Sequence, residues 1–194
     1  AKIPLGPNQG RGVAVGYWGN AGGESSAQLH INEDGTALVI TGHPDVGGSR
    51  ASMVNIAAEL LGIDYRRVRA QIGDTNAVGI SAVTGGSRVT FASGMAVNQA
   101  TRKVIDVLRA RAAAKWGIDI EAVEWADGQA RPAGQNAGEF DPLTLEQIAA
   151  AGGEPIAASV SINATGHLGA FAAQMVDVEV DPETGHVKVL RFTA

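Results

Sequence analysis

Residues 26–40 decide the fold, and they read Ser26-Ala27-Gln28-Leu29-His30-Ile31-Asn32-Glu33-Asp34-Gly35-Thr36-Ala37-Leu38-Val39-Ile40. Apolar and polar side chains alternate on both sides of the turn residues 32–35, which predicts two antiparallel strands joined as a hairpin. A helix is predicted to begin near Ser49, because apolar residues recur at helical spacing: Met53, Ile56, Ala57, Leu60 and Leu61. Gly62 should end this helix as a left-handed cap. Val68–Ile72 then alternates as a short strand.

The rest of the chain continues this mixture of strands, turns and helices. The pattern predicts an amphipathic helix over residues 92–116, a small hairpin over 123–131, and a short helix over 143–150 with Thr144 and Gln147 as a capping box. A second large hairpin is predicted over residues 171–192. Residues 1–24, rich in Gly, Pro and Asn, suggest an irregular N-terminal segment before a domain at 25–194. The predicted fold class is α/β of the α+β type, in which two hairpin-containing lobes pack with helices and helix 92–116 is the longest element.

Composition excludes several classes of function. The chain has 194 residues and a formal net charge of -5, so no overall basic field attracts nucleic acid or an anionic membrane. The absence of cysteine excludes disulfides, zinc–thiolate sites and iron–sulfur clusters held by this chain. No apolar run approaches the roughly 18 residues that span a bilayer, and residues 1–4 lack the apolar core of a signal peptide, so a cytoplasmic protein is expected. None of the histidines has the spacing of a helical metal pair, and each is expected to be a surface or turn residue: His30, His43, His167 and His186.

Two glycine-rich turns each join a predicted strand or loop to a helix. The first glycine turn (residues 42–49) reads Gly42-His43-Pro44-Asp45-Val46-Gly47-Gly48-Ser49, and the second glycine turn (residues 84–88) reads Thr84-Gly85-Gly86-Ser87-Arg88. Adjacent glycines allow close approach of the backbone, and the amides, hydroxyls and guanidinium of the second turn suit an anion. Together, the two turns could hold the two phosphates of one dinucleotide. Such turns are also common without a ligand, and helix capping explains Asp45 and Ser49 equally well.

Read in order, several segments resemble the molybdopterin-binding region of the large subunits of molybdenum hydroxylases, the family of xanthine dehydrogenase and aerobic carbon monoxide dehydrogenase. These segments are Asp45-Val46-Gly47-Gly48, Ile56-Ala57-Ala58-Glu59-Leu60-Leu61-Gly62-Ile63, Gly73-Asp74-Thr75, the second glycine turn, Gly94-Met95-Ala96-Val97 and residues 178–189. They cover most of residues 11–192. The resemblance implies the molybdenum-cofactor-binding domain fold of the xanthine dehydrogenase type, as a partial domain truncated at both ends.

The resemblance also implies a function. A fragment of this family would belong to an enzyme that oxidises or hydroxylates a small molecule (an aldehyde, an N-heterocycle or carbon monoxide) with water as the oxygen source. Its cofactor would be molybdopterin, as a dinucleotide, with molybdenum, while FAD and [2Fe-2S] clusters would lie on other domains or subunits. The implied partners are the remainder of the large subunit, the iron–sulfur and FAD subunits and the small-molecule substrate, with no nucleic acid and no membrane.

Carried over onto this sequence, the family's cofactor-binding residues lie in the two glycine turns and just beyond them: Gly47, Gly48, Ser49, Thr84, Gly85, Gly86, Ser87, Arg88 and Thr90. Two departures stand out. The first turn lacks the glutamine that relatives of the xanthine oxidase type carry between its glycines, and Val89 stands where a serine is common, so Thr90 would supply that hydroxyl.

The family's catalytic base is a glutamate from a motif beyond residue 194, so this chain is expected to contain no catalytic residue and no metal ligand. Alone, it should hold no molybdenum and show no oxidoreductase activity. Two alternatives remain. One is a binding or scaffold module that kept the fold but lost the cofactor, and the other is a generic nucleotide-binding domain, which the lack of a lysine-bearing phosphate loop disfavours.

Overall fold

Strands and helices alternate along the chain in a computed structural model, which describes residues 3–73, 76–166 and 169–194. The elements are β1 (Gln9–Gly19), β2 (Gly23–Ile31), β3 (Ala37–Thr41), α1 (Ser49–Leu61), β4 (Val68–Ile72), α2 (Gly94–Trp116), β5 (Val123–Ala126), β6 (Gln129–Pro132), β7 (Leu143–Thr144), α3 (Leu145–Ala149), β8 (Ile156–Ala164), β9 (Gly169–Val180) and β10 (Val187–Thr193). They form two compact units: unit 1 comprises residues 1–20 and 167–194, and unit 2 comprises residues 21–166. None of the described helices is both long and apolar enough to cross a membrane.

Unit 2 is built on the hairpin that the sequence predicts. Its main sheet has the order β4-β3-β2-β8, in which β2 is antiparallel to β3 and to β8, while β4 runs parallel to β3. From Ala27 onward, alternate residues of β2 are buried (Ala27, Leu29 and Ile31), and α1 and α2 pack against the sheet and against each other. Because α2 turns one stripe toward the core, its buried residues recur three or four apart: Val97, Ala100, Val104 and Leu108.

The predicted helices begin and end close to the expected residues. Both α1 and α2 stop at glycines in the left-handed conformation, Gly62 (φ 71°) and Gly117 (φ 71°). The helix predicted over 92–116 is the longest element, and a π-helical turn over Val89–Ser93 precedes it. The short helix α3 begins at the capping box of Thr144 and Gln147, as predicted. The small hairpin of β5 and β6 turns through Asp127 and Gly128, which both have positive φ.

Unit 1 is a three-stranded antiparallel sheet with the order β1-β9-β10. Its β9–β10 hairpin confirms the prediction for residues 171–192. The prediction that residues 1–24 are irregular is wrong for β1, because large residues alternate there with Gly and Ala at the period of a strand. Residues 21–24 lie in unit 2. One ion pair bridges the paired residues of β1 and β9, since Arg11 donates to both carboxylate oxygens of Asp177. The hydrogen bond from Arg11 holds the pKa of Asp177 below the ordinary value.

Candidate functional site

The two glycine turns lie side by side in unit 2 and enclose a cleft of about 380 Å³. Its walls are Val46, Gly47, Ser49 and Ser52 from the first turn and α1, and Thr84, Gly85, Ser87, Arg88, Val89 and Thr90 from the second turn and the π-helical turn. The structure thus brings the two glycine turns together, the arrangement in which they could hold the phosphates of one dinucleotide. Gly48 and Gly86 are not among these residues, and Val46, Ser52 and Val89 are additional to the predicted set. Ser52 follows Ser49 by three residues on a helix, which is the spacing that places two side chains on one face.

The lining of the cleft suits a polar, anionic group. Five of its ten residues carry a hydroxyl and none is acidic. The side chain of Thr84 contributes a buried hydroxyl that has no hydrogen-bond partner among the described residues. A Cβ added to Gly47 or to Gly85 would meet no atom within 4 Å, so the backbone at both positions is open to a ligand. This donor set fits the phosphates and the hydrogen-bonding edges of a pterin nucleotide.

The first glycine turn is fixed by its own capping contacts. Gly47 and Gly48 have φ values of 72° and 79°, the left-handed region that favours glycine. Oδ1 of Asp45 accepts hydrogen bonds from the Arg50 amide at 3.0 Å and from the Ser49 hydroxyl at 3.2 Å. The bond from the Arg50 amide lowers the pKa of Asp45 below its ordinary value. Asp45 thus caps α1, and Ser49 both supports this cap and lines the cleft.

The two glycines of the second turn have different surroundings. Gly85 faces open space, whereas a Cβ on Gly86 would lie 2.9 Å from Cβ of Ala21. Gly86 also has a φ of 67°, and Ser87 follows with a φ of 56°. The amide of Ala21 donates to the carbonyl of Gly86 at 2.9 Å, which ties the turn to the start of β2. Gly86 therefore shapes the turn, while Gly85 leaves the cleft open.

The guanidinium of Arg88 forms its hydrogen bonds within unit 2, whereas the sequence predicts that it binds a phosphate. Arg88 is only 3% exposed, and its nitrogens donate to three carbonyls and one hydroxyl. The acceptors are the carbonyls of Gly22 (2.7 Å), Ala82 (2.9 Å) and Glu24 (2.7 Å) and the hydroxyl of Ser25 (2.8 Å). Four of the five N–H donors of an arginine are thus used by the domain itself. Burial lowers the pKa of Arg88, a group that stays protonated in proteins.

His43 is a turn residue, as the sequence predicts, but it is buried. It lies in the first glycine turn and is 1% exposed, and neither ring nitrogen has a hydrogen-bond partner among the described residues. Burial lowers the pKa of His43 from its ordinary value, an effect that the charge of Asp45 opposes and the charge of Arg88 strengthens. The imidazole is therefore neutral at pH 7.

The remaining sequence candidates among the described residues do not line this cleft. Within residues 3–73, 76–166 and 169–194, no three His, Cys, Asp or Glu side chains are grouped as metal ligands would be. Of the Gly73-Asp74-Thr75 motif, only Gly73 is among the described residues, and His167 also lies outside them.

Comparisons with known proteins identify the family to which the chain belongs. The family model described as the molybdopterin cofactor-binding domain matches residues 6–194. The chain is 31% identical over 189 residues to the aldehyde oxidoreductase molybdenum-binding subunit PaoC of Escherichia coli K12, an alignment that covers 95% of this chain and 24% of that protein. It is also 32% identical over 92 residues to aldehyde oxidase 1 of Macaca fascicularis, which covers 47% of this chain and 7% of the relative.

Solved structures share the fold at lower identity. The Cu,Mo-CO dehydrogenase matches with a TM-score of 0.82 and 22% identity, covering 95% of this chain and 26% of that one. The quinoline 2-oxidoreductase of Pseudomonas putida 86 matches with a TM-score of 0.79 and 19% identity, over 95% of this chain and 26% of its own. The chain thus spans about a quarter of the length of these relatives. Because the family model covers nearly the whole chain and both the sequence and the fold match, this chain belongs to the molybdopterin cofactor-binding domain family.

Proposed function

We propose that the cleft between the two glycine turns binds the phosphate-bearing part of a molybdopterin cofactor. The observation that carries this proposal is the meeting of two open glycine backbones, at Gly47 and Gly85, in a cleft with five hydroxyl-bearing residues and no acidic one. Phosphate oxygens accept hydrogen bonds, and backbone amides ahead of helices together with hydroxyl groups donate them. Membership of the family supports the same ligand.

Each predicted site residue has a role under this proposal. The backbone at Gly47 and Gly85 would approach the cofactor closely, because no side chain intervenes, whereas Gly48 and Gly86 would contribute through the left-handed conformation of their turns. The hydroxyls of Ser52, Thr84, Ser87 and Thr90 would donate to phosphate or pterin oxygens, while Ser49, whose hydroxyl donates to Asp45, would hold the cap of α1 in place. Arg88 would contribute through the structure of the turn rather than through its own contact. When bound, the cofactor supplies molybdenum redox chemistry, and this chain holds and orients it.

We infer that the complete protein is a molybdenum-dependent oxidoreductase that oxidises or hydroxylates a small molecule with water as the oxygen source. The names of the relatives, an aldehyde oxidoreductase subunit and an aldehyde oxidase, favour an aldehyde. Electrons would leave through [2Fe-2S] clusters and FAD on other domains or subunits, because a chain without cysteine provides no thiolate ligands for a cluster.

Unit 1 offers a surface for such partners. One face of its sheet exposes Val13 (70%), Val15 (77%) and Phe171 (79%), which lie on paired strands together with Tyr17 (59%). A contiguous apolar surface of this kind is typical of an interface. We propose that it packs against the remainder of a large subunit.

The proposed ligand is tested by narrowing the cleft in the full-length subunit. Gly85→Val places a branched side chain into the open space, so pterin and molybdenum per subunit should fall about tenfold, the consequence of roughly 1.4 kcal/mol of lost binding. Gly10→Val in β1 is the matched control, because a Cβ there also meets no atom within 4 Å and valine suits a strand. Wild-type pterin content in folded Gly85→Val protein would refute the proposal.

A binding or scaffold module that keeps the fold without the cofactor is the second candidate. The feature that favours it is the sequence Gly47-Gly48-Ser49, which has no glutamine between its glycines. Pterin content of the wild-type full-length protein separates the two candidates. A value near one pterin per subunit supports the enzyme, and a value near zero in protein from cells that make the cofactor supports the module.

A further inference from the structure

Arg88 is a buried cation that forms no ion pair with any residue of the described chain. Removing an arginine from water is costly unless its donors are satisfied, and here backbone carbonyls and the Ser25 hydroxyl satisfy them.

The acceptors of Arg88 come from two separate parts of unit 2. Gly22, Glu24 and Ser25 lie just before or within the start of β2, whereas Ala82 precedes the second glycine turn. Two backbone hydrogen bonds join the same segments, from the amide of Ala21 to Gly86 (2.9 Å) and from the amide of Ala82 to Glu24 (2.9 Å). The guanidinium therefore sits at the junction between β2 and the loop that carries the second glycine turn.

We propose that Arg88 is a positioning residue that locks the second glycine turn onto β2 and so preforms the cofactor cleft. This inference rests on the proposed function, because the cleft is taken to be the ligand site. The turn contains two successive residues with positive φ, Gly86 and Ser87, and such a conformation needs external contacts to persist. A preformed turn binds its ligand more tightly because less ordering remains to be done on binding.

The shape of the side chain, and not its charge alone, is essential to this role. A guanidinium presents its donors as a rigid fork, which here reaches acceptors in two segments at once. A lysine would keep the positive charge beside the cleft but cannot span the same carbonyls from a single ammonium nitrogen. Positioning therefore predicts that lysine fails to replace Arg88, whereas a purely electrostatic role predicts that it succeeds.

The test compares Arg88→Lys and Arg88→Met with Arg109→Lys in the full-length subunit. Arg109 is a matched control, because it also donates to two carbonyls in unit 2, those of Val123 (2.7 Å) and Ile120 (3.0 Å), and does not line the cleft. One readout is amide hydrogen exchange in cofactor-free protein, and the other is pterin retained per subunit. Both Arg88 variants should raise exchange over residues 82–88 about tenfold and reduce retained pterin about tenfold. Arg109→Lys should leave both values at wild type.

Two results would overturn the inference: wild-type pterin retention in Arg88→Lys, or unchanged exchange over residues 82–88 in both Arg88 variants. If the wild-type subunit retains no pterin, the proposed function fails instead, and the exchange readout still decides the role of Arg88. If both Arg88 variants fail to fold, Ser25→Ala removes one acceptor at 2.8 Å while keeping the arginine. It should raise exchange in the same segment by a smaller factor, and no change there would overturn the inference.

Discussion

Gly85 and Gly86 are adjacent glycines that should tolerate substitution differently, because their surroundings differ. Gly86 has a left-handed φ of 67° and would place a Cβ 2.9 Å from that of Ala21, whereas Gly85 has neither constraint. Gly86→Ala should therefore lower the free energy of unfolding by about 1–3 kcal/mol, through backbone strain and crowding. Gly85→Ala should change it by less than about 0.5 kcal/mol. Urea unfolding of both variants checks this, and equal losses would contradict the assigned roles.

His43 should make the stability of unit 2 depend on pH. Burial lowers its pKa from the ordinary 6.5, so on acidification the unfolded chain takes up a proton that the folded chain resists. Stability must then fall as the pH drops below about 6.5, with a slope of at most about 1.4 kcal/mol per pH unit from this one group. The pKa of the capping carboxylate of Asp45 is also lowered, from the ordinary 3.8, so protonation of Asp45 affects stability only in a separate, more acidic range.

The variant His43→Leu tests this dependence, because it removes the titrating group and keeps a side chain of similar volume. Its unfolding free energy, measured between about pH 5 and 7, should vary less with pH than that of the wild type. His186→Leu, at an exposed position in unit 1, is the control and should keep the wild-type slope. An unchanged slope in His43→Leu would show that His43 is not the group responsible.

At the scale of residues, the sequence indicated which positions form the turns but not where their side chains point. The glycines, Thr84 and Arg88 were all singled out from their types and spacing. The direction of the Arg88 guanidinium depends on carbonyls more than sixty positions earlier, at Gly22 and Glu24, which no local pattern reveals. The burial of His43 also depends on tertiary packing, which no local pattern in the sequence reveals.

At the scale of elements, two helices end in the same conformation but in different surroundings. Gly62 and Gly117 have φ and ψ values of 71° and 34°, and of 71° and 33°. A Cβ on Gly62 would lie 2.5 Å from the amide nitrogen of Gly128, whereas one on Gly117 would meet nothing within 4 Å. Gly117→Ala should therefore cost about 1–2 kcal/mol for the left-handed backbone alone.

Gly62→Ala should cost clearly more, because the backbone of the β5–β6 turn must also shift. Chemical denaturation of the two variants gives the comparison. If the two glycines proved equally tolerant of alanine, the close packing of the α1 cap against that turn would be refuted.

Elements with a strong hydrophobic period were predictable from the sequence, whereas strands rich in glycine, alanine or serine were not. The two large hairpins, α1, α2 and the capping box of α3 follow from alternation, helical spacing and turn chemistry. The strand β1 was missed because its alternating glycines look like a loop, and β8 because Ala and Ser dominate its sequence. Their pairing with distant strands, β9 and β2, stabilises them, and such pairing is not encoded locally.

At the scale of the whole molecule, the exposed apolar face of unit 1 should matter for assembly. Val15→Glu places a charge on that face, so the full-length protein should yield less assembled enzyme, because burying an unpaired carboxylate is costly. Ala14→Glu, on the opposite face of the same strand, is the control. Size-exclusion chromatography of co-expressed subunits measures the yield, and equal assembly of the Val15 and Ala14 variants would remove the proposed interface.

The cleft between the two glycine turns is also a property of the fold of unit 2, because its two walls are about forty residues apart in sequence. The sequence predicts a glycine turn before α1 and another before α2, and the packing of these two helices in unit 2 brings the turns together. The match over residues 6–194 shows that the chain belongs to the molybdopterin cofactor-binding domain family.

The most direct test is the position of the cofactor phosphates in a crystal structure of the complete subunit isolated with its cofactor. We expect phosphate oxygens at about 3 Å from donors in both glycine turns, including the amides at Gly47–Ser49 and Gly85–Ser87. The guanidinium of Arg88 should keep its bonds to Gly22, Ala82 and Glu24 in the loaded protein. Phosphates bound elsewhere, with only solvent between the two turns, would contradict the central claim.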